Sequence, residues 1–315
     1  MSGMPEEQLS RLLFESPLVR VYDVVCRAPR SNYGPVMFNA AIHVGLPRRG
    51  VFVLARRGSP VVVDTTTALV LGLDEEYRIS HPTGDGDDGT VLALPTHLAE
   101  DVIGGIGGQV GNLGPRDHLA VCLVTRLLAE PDIDQLEAED ATLLLLASLS
   151  RAFAGGMSAR GWRTGSTQRL RVERARALLA SSPATRWDLD TLGRVLYCSP
   201  FHLARQFRAL TGETISRYLL RLRLGLAIER LAEGERDIAA LASDIGFAHH
   251  SHFSARFRTI FGITPTQARE MLTKRNLDEL RTLVADPGLA PGRLGVLRSR
   301  AARRTRARPL KHPST

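Results

Sequence analysis

The sequence has few cysteines and no long uncharged apolar run, and each shortage excludes a class of protein. The three cysteines, Cys26, Cys122 and Cys198, form no Cys-x-x-Cys pair and are odd in number, so they do not make the disulfide framework of a small secreted domain. The longest uncharged apolar run, Ala141–Ser150, is about half of what a membrane-spanning helix needs. The N-terminus is acidic, unlike the basic start of a signal peptide, so a cytoplasmic protein is expected.

What the sequence does contain is enough apolar residues for about two domains, and an uneven distribution of charge. Of its 315 residues 43% are hydrophobic, which is sufficient for cores of ordinary size. The formal net charge of +8 divides into −8 over residues 1–154, +8 over 155–273 and +8 over 274–315. An acidic half joined to a basic half favours contact of the second half with a polyanion such as nucleic acid.

The N-terminal half alternates short β-branched segments with turn residues, a pattern typical of a small β-sandwich or barrel. The predicted strands are Leu18–Cys26, Val36–Val44, Val51–Ala55, Val61–Asp64, Ala68–Leu73, Tyr77–Ser80 and Thr90–Leu94. Beyond Pro95 apolar residues recur at every third or fourth position, which predicts helices. These are Pro115–Ala129 and Glu137–Phe153. We place a Gly/Ser/Thr-rich linker at 155–167 and a basic, disordered tail at 274–315.

Residues 168–273 are predicted to be helical and contain a duplication with a period of 49 to 50 residues. In the first block Leu189, Leu192 and Leu196 recur as Ile238, Leu241 and Ile245. In the second block Leu203, Phe207, Leu210 and Gly212 recur as Phe253, Phe257, Ile260 and Gly262. The one-residue slip lies between the blocks, where a turn is expected. Two helices joined by a short turn and closed by glycine are typical of a helix-turn-helix unit, so two such units are predicted.

The outward face of the second helix in each unit is the candidate DNA-binding surface. Ser199 is a good N-cap, and Pro200 suits the first helical position. The candidate contacts are Pro200, Phe201, Ala204, Arg205 and Arg208 in the first unit, and His250, Ser251, Ser254, Ala255 and Arg258 in the second. Arg205 is suited to forking onto guanine in a major groove. Arg208 and Arg258 occupy equivalent positions, as expected of phosphate contacts shared by the two units.

The segment between the two units, Thr214–Glu233, is predicted to be one helix of 20 residues, roughly 30 Å long. That length is close to the ~34 Å between successive major grooves on one face of DNA. Gly225 lies inside this helix at a cost of about 1 kcal/mol relative to alanine. The alternative is a plain helical bundle whose duplication is accidental.

These residues resemble the AraC/XylS family of transcription regulators. The motifs that carry the resemblance are Ser199-Pro200-Phe201-His202-Leu203, Thr211-Gly212, Ile245-Gly246-Phe247, Ser251-His252-Phe253-Ser254 and Phe261-Gly262-Ile263-Thr264-Pro265. The resemblance implies two helix-turn-helix units on a seven-helix domain that binds double-stranded promoter DNA, with RNA polymerase as a candidate partner. Two departures stand in the second unit: Ala255 where the family usually has arginine, and Ala248 where a polar cap is common. We therefore expect the first unit to dominate specificity.

The N-terminal half looks like the cupin-type sensor domain that precedes such DNA-binding domains, on the segments Pro47-Arg48-Arg49-Gly50 and Tyr77-Arg78-Ile79-Ser80-His81-Pro82. The resemblance implies a multidomain protein: a mainly-β, cupin-like barrel with following helices over 1–154, then an all-α domain over 168–273. It also implies a small-molecule effector, for which His43 and His81 are candidate contacts. A metal centre would need His, His and Glu ligands converging in the barrel, and no His-x-His pair is present, so neither a metal nor a cofactor is expected.

Two alternatives remain open at this point. One is a cupin-type metal-dependent enzyme with a basic accessory domain, although no nucleophile elbow or phosphate loop is present. The other is an architectural DNA binder without an effector. A homodimer formed through residues 115–153 also stays open, since these helices could serve only intramolecular packing.

Overall fold

The computed structural model describes residues 8–56, 59–105, 107–154, 167–274 and 277–284. Within them a β-rich half is followed by a helical half that contains two helix-turn-helix units, which confirms the predicted fold class. The strands are β1 (Gln8–Glu15), β2 (Arg20–Cys26), β3 (Ile42–Arg49), β4 (Val51–Arg56), β5 (Ser59–Asp64), β6 (Thr67–Leu71), β7 (Arg78–Ser80), β8 (Asp87–Leu94) and β9 (Gln109–Asn112). The helices are α1 (Thr96–Ile103), α2 (Pro115–Leu128), α3 (Gln135–Ala154), α4 (Thr167–Ser181), α5 (Leu189–Val195), α6 (Pro200–Thr211), α7 (Ile215–Ala232), α8 (Ile238–Asp244), α9 (His250–Phe261), α10 (Pro265–Lys274) and α11 (Leu277–Val284).

The strands form two antiparallel sheets, with the orders β1-β2-β8-β3-β6-β9 and β5-β4-β7. One face of the larger sheet packs on the helices, and the other packs on the smaller sheet. Strand β6 shows both contacts, because Ala68 and Val70 belong to the core shared with the helices whereas Leu69 and Leu71 belong to the core between the sheets. A strand that is covered on both faces is buried along its whole length, as all five residues of β6 are.

Two strands escape the sequence analysis, and one is displaced. Strand β1 is an edge strand whose Leu9 and Leu12 are exposed, so no alternation marks it. Strand β9 follows a glycine-rich stretch. The strand predicted at Val36–Val44 lies instead at Ile42–Arg49, and Gly50 follows it with φ of 80°.

The displacement of β3 has a physical reason in Arg48. Its guanidinium is buried, donates to Asp23 Oδ1 and Thr90 Oγ1 at 2.7 Å each, and is therefore satisfied inside the sheet. An arginine pair beside proline and glycine is typical of an exposed turn, and the sequence alone does not show the partners that allow it to lie in a strand.

The helical predictions for the N-terminal half are confirmed by α2 and α3. The predicted linker 155–167 lies outside the described residues except for Thr167, which begins α4. The predicted tail needs a correction at its start, because residues 277–284 form α11. Leu280 and Val284 are buried there, and Arg281 donates to Asp140 Oδ2 on α3 at 2.9 Å. Residues 285–315 of the predicted tail lie outside the described part of the chain. No described helix is long and apolar enough to cross a membrane.

The duplication is confirmed in detail. Helices α5 and α8 begin 49 residues apart, and α6 and α9 begin 50 residues apart. The turn between the two helices spans residues 196–199 in the first unit and 245–249 in the second, so the extra residue lies in the turn. Helix α7 joins the units and has 18 residues, which corresponds to about 27 Å.

Helix α7 also packs against the N-terminal half, through a buried carboxylate. Asp64 Oδ1 accepts from the backbone N–H and hydroxyl of Thr66, at 2.8 and 2.6 Å. Asp64 Oδ2 accepts from Tyr218 OH on α7 at 2.5 Å and from Arg176 Nη2 on α4 at 3.2 Å. Burial and the charge of Asp64 raise the pKa of Tyr218, which keeps its hydroxyl protonated. The network bonds the β5–β6 turn to both helices. Loss of Tyr218 or Arg176 would leave the buried charge of Asp64 without full compensation.

Two further contacts strengthen this docking. Val62 lies on the edge strand β5, and its backbone N–H donates to Glu173 Oε2 on α4 at 2.8 Å, so a helix side chain satisfies the strand edge. On α7, Arg221 Nη2 donates to Asn112 Oδ1 at 2.5 Å and to the carbonyl oxygen of Leu113 at 2.6 Å. The N-terminal half thus bonds to the same two helices that support the first helix-turn-helix unit.

The glycine inside α7 is explained by this docking. A Cβ on Gly225 would lie 2.8 Å from Thr65 Oγ1 and 3.2 Å from Thr65 Cβ, so the N-terminal half approaches α7 more closely than an alanine allows. Gly225 lowers the helix propensity of α7 but allows the close contact between the two halves.

We expect the Gly225→Ala variant to be less stable than the wild type. Overpacking against buried Thr65 costs about 1 to 3 kcal/mol, whereas the gain in helix propensity is about 1 kcal/mol. The free energy of unfolding of the full chain, measured by chemical denaturation, should therefore fall. Thr65→Ala removes the atom that clashes, so the double variant should recover most of the loss. Equal losses in the single and double variants would contradict this contact.

We also expect a pH dependence from His118 on α2. Burial, assisted by the charge of Arg48, lowers the pKa of His118 to about 4, against 6.5 in an unfolded chain. Between these values the unfolded state binds the proton and the folded state does not, so this contribution to stability is present above pH 6.5 and is lost as the pH falls towards 4. The loss is about 2 to 3 kcal/mol by pH 4.5.

The matching measurement compares the wild type with His118→Gln, which cannot titrate. Chemical denaturation at a series of pH values should show the wild type losing more stability than the variant between pH 6.5 and 4.5. Parallel profiles for the two proteins would contradict a buried neutral His118.

Candidate nucleic-acid interface

Helix α6 is held by caps that its sequence encodes. Ser199 Oγ accepts from the backbone N–H of His202 at 3.2 Å, and Pro200 occupies the first turn, as predicted. Gly212 ends the helix in the left-handed conformation with φ of 79°. Leu203 and Phe207 are fully buried, whereas Leu210, which the apolar repeat predicts to be buried with them, is 37% exposed. The last turn of α6 thus extends beyond the core, which is why its periodic leucine is left partly in solvent.

The outward face of α6 is exposed, as predicted. Phe201 is 88% exposed, Arg205 and Arg208 are exposed, and Ala204 is half-buried between them. Among the exposed large hydrophobic side chains of the described residues, only that of Tyr197 is more exposed than that of Phe201.

One residue on this helix was missed in the sequence analysis. His202 Nε2 lies 2.8 Å from the amide nitrogen of buried Gln206, and His202 Nδ1 lies 3.3 Å from Arg205 Nη2. His202 thereby supports the side of the Arg205 guanidinium. Its spacing of three residues from Arg205 is the only signal in the sequence that could have indicated this contact.

Helix α9 has a similar face but a weaker cap. Its N-cap is His249, whose side chain makes no capping hydrogen bond. Ala248, the residue expected at the cap, lies one position before it. The candidate contacts His250, Ser251, Ala255 and Arg258 are exposed, and Ser254 is half-buried. Ser254 Oγ and His250 Nε2 lie 3.2 Å apart.

The two faces are equivalent at one arginine and different at another. The carbonyl oxygens of Arg208 and Arg258 each accept from the C-cap glycine at 2.9 Å, so both side chains project from the same point of their helices. Ala255, in contrast, stands where α6 has Arg205. Arg256, which follows it, contacts His252 with 3.4 Å between Nε and Nε2, and both side chains line a groove between the N-terminal half and the helices.

The turns of the two units share an unusual backbone conformation. Tyr197 has φ of 52° and is 92% exposed, and the equivalent residue in the second unit, Gly246, has φ of 89°. Glycine adopts this conformation without strain, whereas a residue with a bulky side chain is strained in it. Tyr197 was missed because helical periodicity carries no information about a turn residue. Strained, exposed residues concentrate at functional sites.

The described residues of the N-terminal half contact the helical domain away from the exposed faces of α6 and α9. Arg116 Nε on α2 donates to the carbonyl oxygen of Ile260 in the last turn of α9 at 3.2 Å. The groove between the halves has a volume of about 1130 Å³, and its lining includes Asn112, Arg221, Phe247 and Ile260. The exposed faces of α6 and α9 lie outside these contacts.

The two candidate effector contacts have different surroundings. His43 Nδ1 lies 3.1 Å from Asn39 Oδ1, and burial lowers the pKa of His43. His81 Nε2 lies 3.2 Å from Asp87 Oδ2 and 3.5 Å from Cys26 Sγ. Hydrogen bonding to Asp87, then to Cys26, raises the pKa of His81 to about 9. The two histidines share none of these partners, so they do not form one converging site.

Comparisons with known proteins agree with this geometry. A family model described as a helix-turn-helix domain matches residues 192–271, which run from α5 to α10. An AraC-like transcription regulator of Streptomyces antibioticus is 28% identical over 199 residues, covering 59% of this chain and 65% of that protein. The regulatory protein SoxS of Salmonella typhimurium is 34% identical over 85 residues, covering 27% of this chain and 79% of that protein.

Matches to other regulators are partial. The chain spans 33% of the helix-turn-helix regulator YidL of Escherichia coli and 36% of an AraC-like regulator of Streptomyces lividans. Among solved structures, ToxT of Vibrio cholerae is aligned over 81% of this chain and 97% of its own, with 15% identity and a TM-score of 0.34.

The duplicated helix-turn-helix geometry and the match to most of SoxS lead to one assignment. The chain belongs to the AraC family of helix-turn-helix transcription regulators.

Proposed function

We propose that the chain regulates transcription by binding a specific DNA site with α6 and α9 in successive major grooves. The observation that carries the proposal is the pair of exposed, equivalent helix faces joined by one continuous helix. At about 27 Å, α7 is somewhat shorter than the ~34 Å groove repeat, and residues 212–214 and 233–237 connect it to α6 and α8.

The two faces have different tasks in this proposal. In the first unit, Arg205 forks onto a guanine while Phe201 contacts a thymine methyl. Arg208 and Arg258 contact phosphates, and Pro200 and Ala204 border the groove floor. In the second unit, Ala255 offers only an apolar contact, and His250, Ser251 and Ser254 are the polar groups that reach the DNA. The first unit then contributes most of the sequence preference.

We extend the proposal to control by a small-molecule effector. The support is the docking of the N-terminal half, because Asp64 bonds to Tyr218 and Arg176, which lie on the helices that hold the first unit. A ligand that shifts the β5–β6 turn would change the position of those helices. His43 and His81 remain predicted effector contacts, and RNA polymerase and a second copy of the chain remain predicted partners.

The rival interpretation as a cupin-type enzyme has less support. His43 is bonded to Asn39, whereas His81 lies among Cys26, Asp87 and Ser31, so the two histidines lack the shared centre that such a metal site needs. An architectural DNA binder is separated from a regulator by selection of binding sites from random DNA, since only the regulator enriches one motif.

The first prediction from this proposal contrasts two arginines of α6. On the selected site, Arg205→Ala should cost about 1 to 3 kcal/mol of binding free energy and relax preference at one base pair. Arg208→Ala should weaken binding to all sequences alike. It should also reduce the slope of the logarithm of the binding constant against the logarithm of salt concentration by about one. Equilibrium binding to the site and to single-base variants, at several salt concentrations, measures both effects.

The matched control is Arg20→Ala, which removes the same charge from the N-terminal half. It should leave affinity and specificity unchanged. If Arg205→Ala binds like the wild type, or if Arg208→Ala affects one sequence only, the assigned roles of the two arginines are wrong.

The second prediction concerns the strained turn. Tyr197→Gly should raise the free energy of unfolding by about 1 kcal/mol, because it relieves the left-handed strain. Tyrosine hydroxyls commonly contact phosphates, so both Tyr197→Gly and Tyr197→Phe should weaken DNA binding, by about 1 kcal/mol, irrespective of sequence. Stability is measured by denaturation and affinity by equilibrium binding. Wild-type affinity in Tyr197→Phe would show that the hydroxyl makes no DNA contact.

A further inference from the structure

Far in sequence from the helix-turn-helix units, three side chains of the N-terminal half converge on one point. Cys26 Sγ lies 3.5 Å from His81 Nε2, and Asp87 Oδ2 lies 3.2 Å from the same nitrogen. All three ligand atoms lie within 4.8 Å of one another. The site borders solvent, since the side chains of His81 and Asp87 are 11% and 14% exposed.

The backbone fixes this convergence. Cys26 ends β2 and is the direct partner of Asp87, which begins β8. Gly86 precedes Asp87 with φ of 71°, and a Cβ there would clash with the carbonyl oxygen of Cys26, so only glycine fits this turn. Two backbone hydrogen bonds between His81 and Ser31, of 3.0 and 3.2 Å, fix the position of His81 beside Cys26 and Asp87. The three side chains are therefore positioned before any ligand binds.

Hydrogen bonding alone does not account for the arrangement. A catalytic Cys-His-Asp triad uses both ring nitrogens, one for the sulfur and one for the carboxylate. Here both groups face Nε2, which has a single proton to donate. Asp87 Oδ2 is buried, and its close neighbour among the described residues is His81 Nε2 at 3.2 Å, the nitrogen that Cys26 Sγ also approaches. One proton on Nε2 cannot bond well to both groups at once, whereas a metal ion in its place would bond to all three side chains.

The separations match the coordination shell of zinc. With Zn–S of about 2.3 Å and Zn–N or Zn–O of about 2.0 to 2.1 Å, the edges of a tetrahedron are about 3.3 to 3.6 Å. The observed S–N and N–O separations are 3.5 and 3.2 Å. The other ring nitrogen, Nδ1, lies 3.5 Å from Ser31 Oγ, as is usual for a metal-bound histidine oriented by an outer partner.

We propose that Cys26, His81 and Asp87 bind one Zn²⁺ ion, with water in the fourth position. Thiolate, imidazole and carboxylate donors together favour zinc over the hard cations magnesium and calcium. Binding releases the thiol proton of Cys26 and any proton on His81 to solvent, and the bound ion is then neutralised by the thiolate and the carboxylate. The expectation of no metal was based on a search for a His-x-His pair, which this site does not use.

A second cluster of similar composition differs in ways that disfavour a metal. In His118, Cys122 and Glu229, the thiol of Cys122 donates to Glu229 Oε1 at 3.0 Å, so the carboxylate already has its partner. Arg48 Nε lies 3.9 Å from the same oxygen and supplies a cation. Burial raises the pKa of Cys122 well above its ordinary value, which disfavours the thiolate that a metal requires. Cys122 is therefore a matched control.

The test uses the full chain, stripped with a chelator and titrated with Zn²⁺ against a chromophoric competitor. The wild type should bind one equivalent, and Cys26→Ala and His81→Ala should each bind at least about 100-fold more weakly, because each loses a direct ligand. Cys122→Ala and Cys198→Ala should bind like the wild type. Zn²⁺ should raise the thermal unfolding midpoint of the wild type and both controls but not of the two ligand variants.

Two further measurements keep the test decisive if a variant folds poorly. Asp87→Asn keeps the shape of the side chain and should also weaken binding. Co²⁺ added to the unmodified wild type should give a thiolate-to-cobalt charge-transfer band, which requires cysteine coordination. Absence of both stoichiometric Zn²⁺ uptake and the cobalt band would overturn the proposal, as would uptake lost in Cys122→Ala but kept in Cys26→Ala. These readouts do not involve DNA, so they are independent of the proposed regulatory function.

Discussion

Helix α7 both sets the spacing of the two helix-turn-helix units and forms the docking surface for the N-terminal half, so a change in one function affects the other. It separates the two helix-turn-helix units, and it carries Tyr218, Arg221 and Gly225, through which the N-terminal half docks. In the proposed function, because the helix is continuous over 18 residues, a displacement at the docking surface would reach both units as a rotation or shift of one element. The glycine that weakens the helix is also a point at which Thr65 of the N-terminal half approaches too closely for an added Cβ. In the proposed function, regulation and spacing therefore depend on the same stretch of backbone.

The two units are copies in backbone but not in chemistry. The first has a bonded N-cap at Ser199 and an arginine at position 205, whereas the second has an unbonded cap at His249 and an alanine at position 255. The shared arginines, Arg208 and Arg258, are the proposed phosphate contacts, which would hold a duplex without reading its sequence. This division suits a protein in which one unit selects the site and the other adds affinity and orientation.

Much of the helical domain could be predicted from the sequence, because the buried face of a helix appears as apolar residues at every third or fourth position. The 49/50-residue repeat indicated four helices, the turn that absorbs the extra residue, and the exposed sides of α6 and α9. Features that depend on distant partners could not be predicted. Arg48 lies in a strand because Asp23 and Thr90 bond to it, and the left-handed Tyr197 leaves no trace in hydrophobic spacing. The cluster of Cys26, His81 and Asp87 joins positions up to 61 residues apart in the printed sequence, which only the pairing of β2 with β8 brings together.

The most direct test of the account is hydroxyl-radical footprinting of the full chain on a DNA site selected from random sequences. Two recognition helices held by one rigid helix should protect two patches on one face of the duplex, with centres about 10 to 10.5 base pairs apart. A single protected patch, or two patches on opposite faces, would contradict joint docking of α6 and α9.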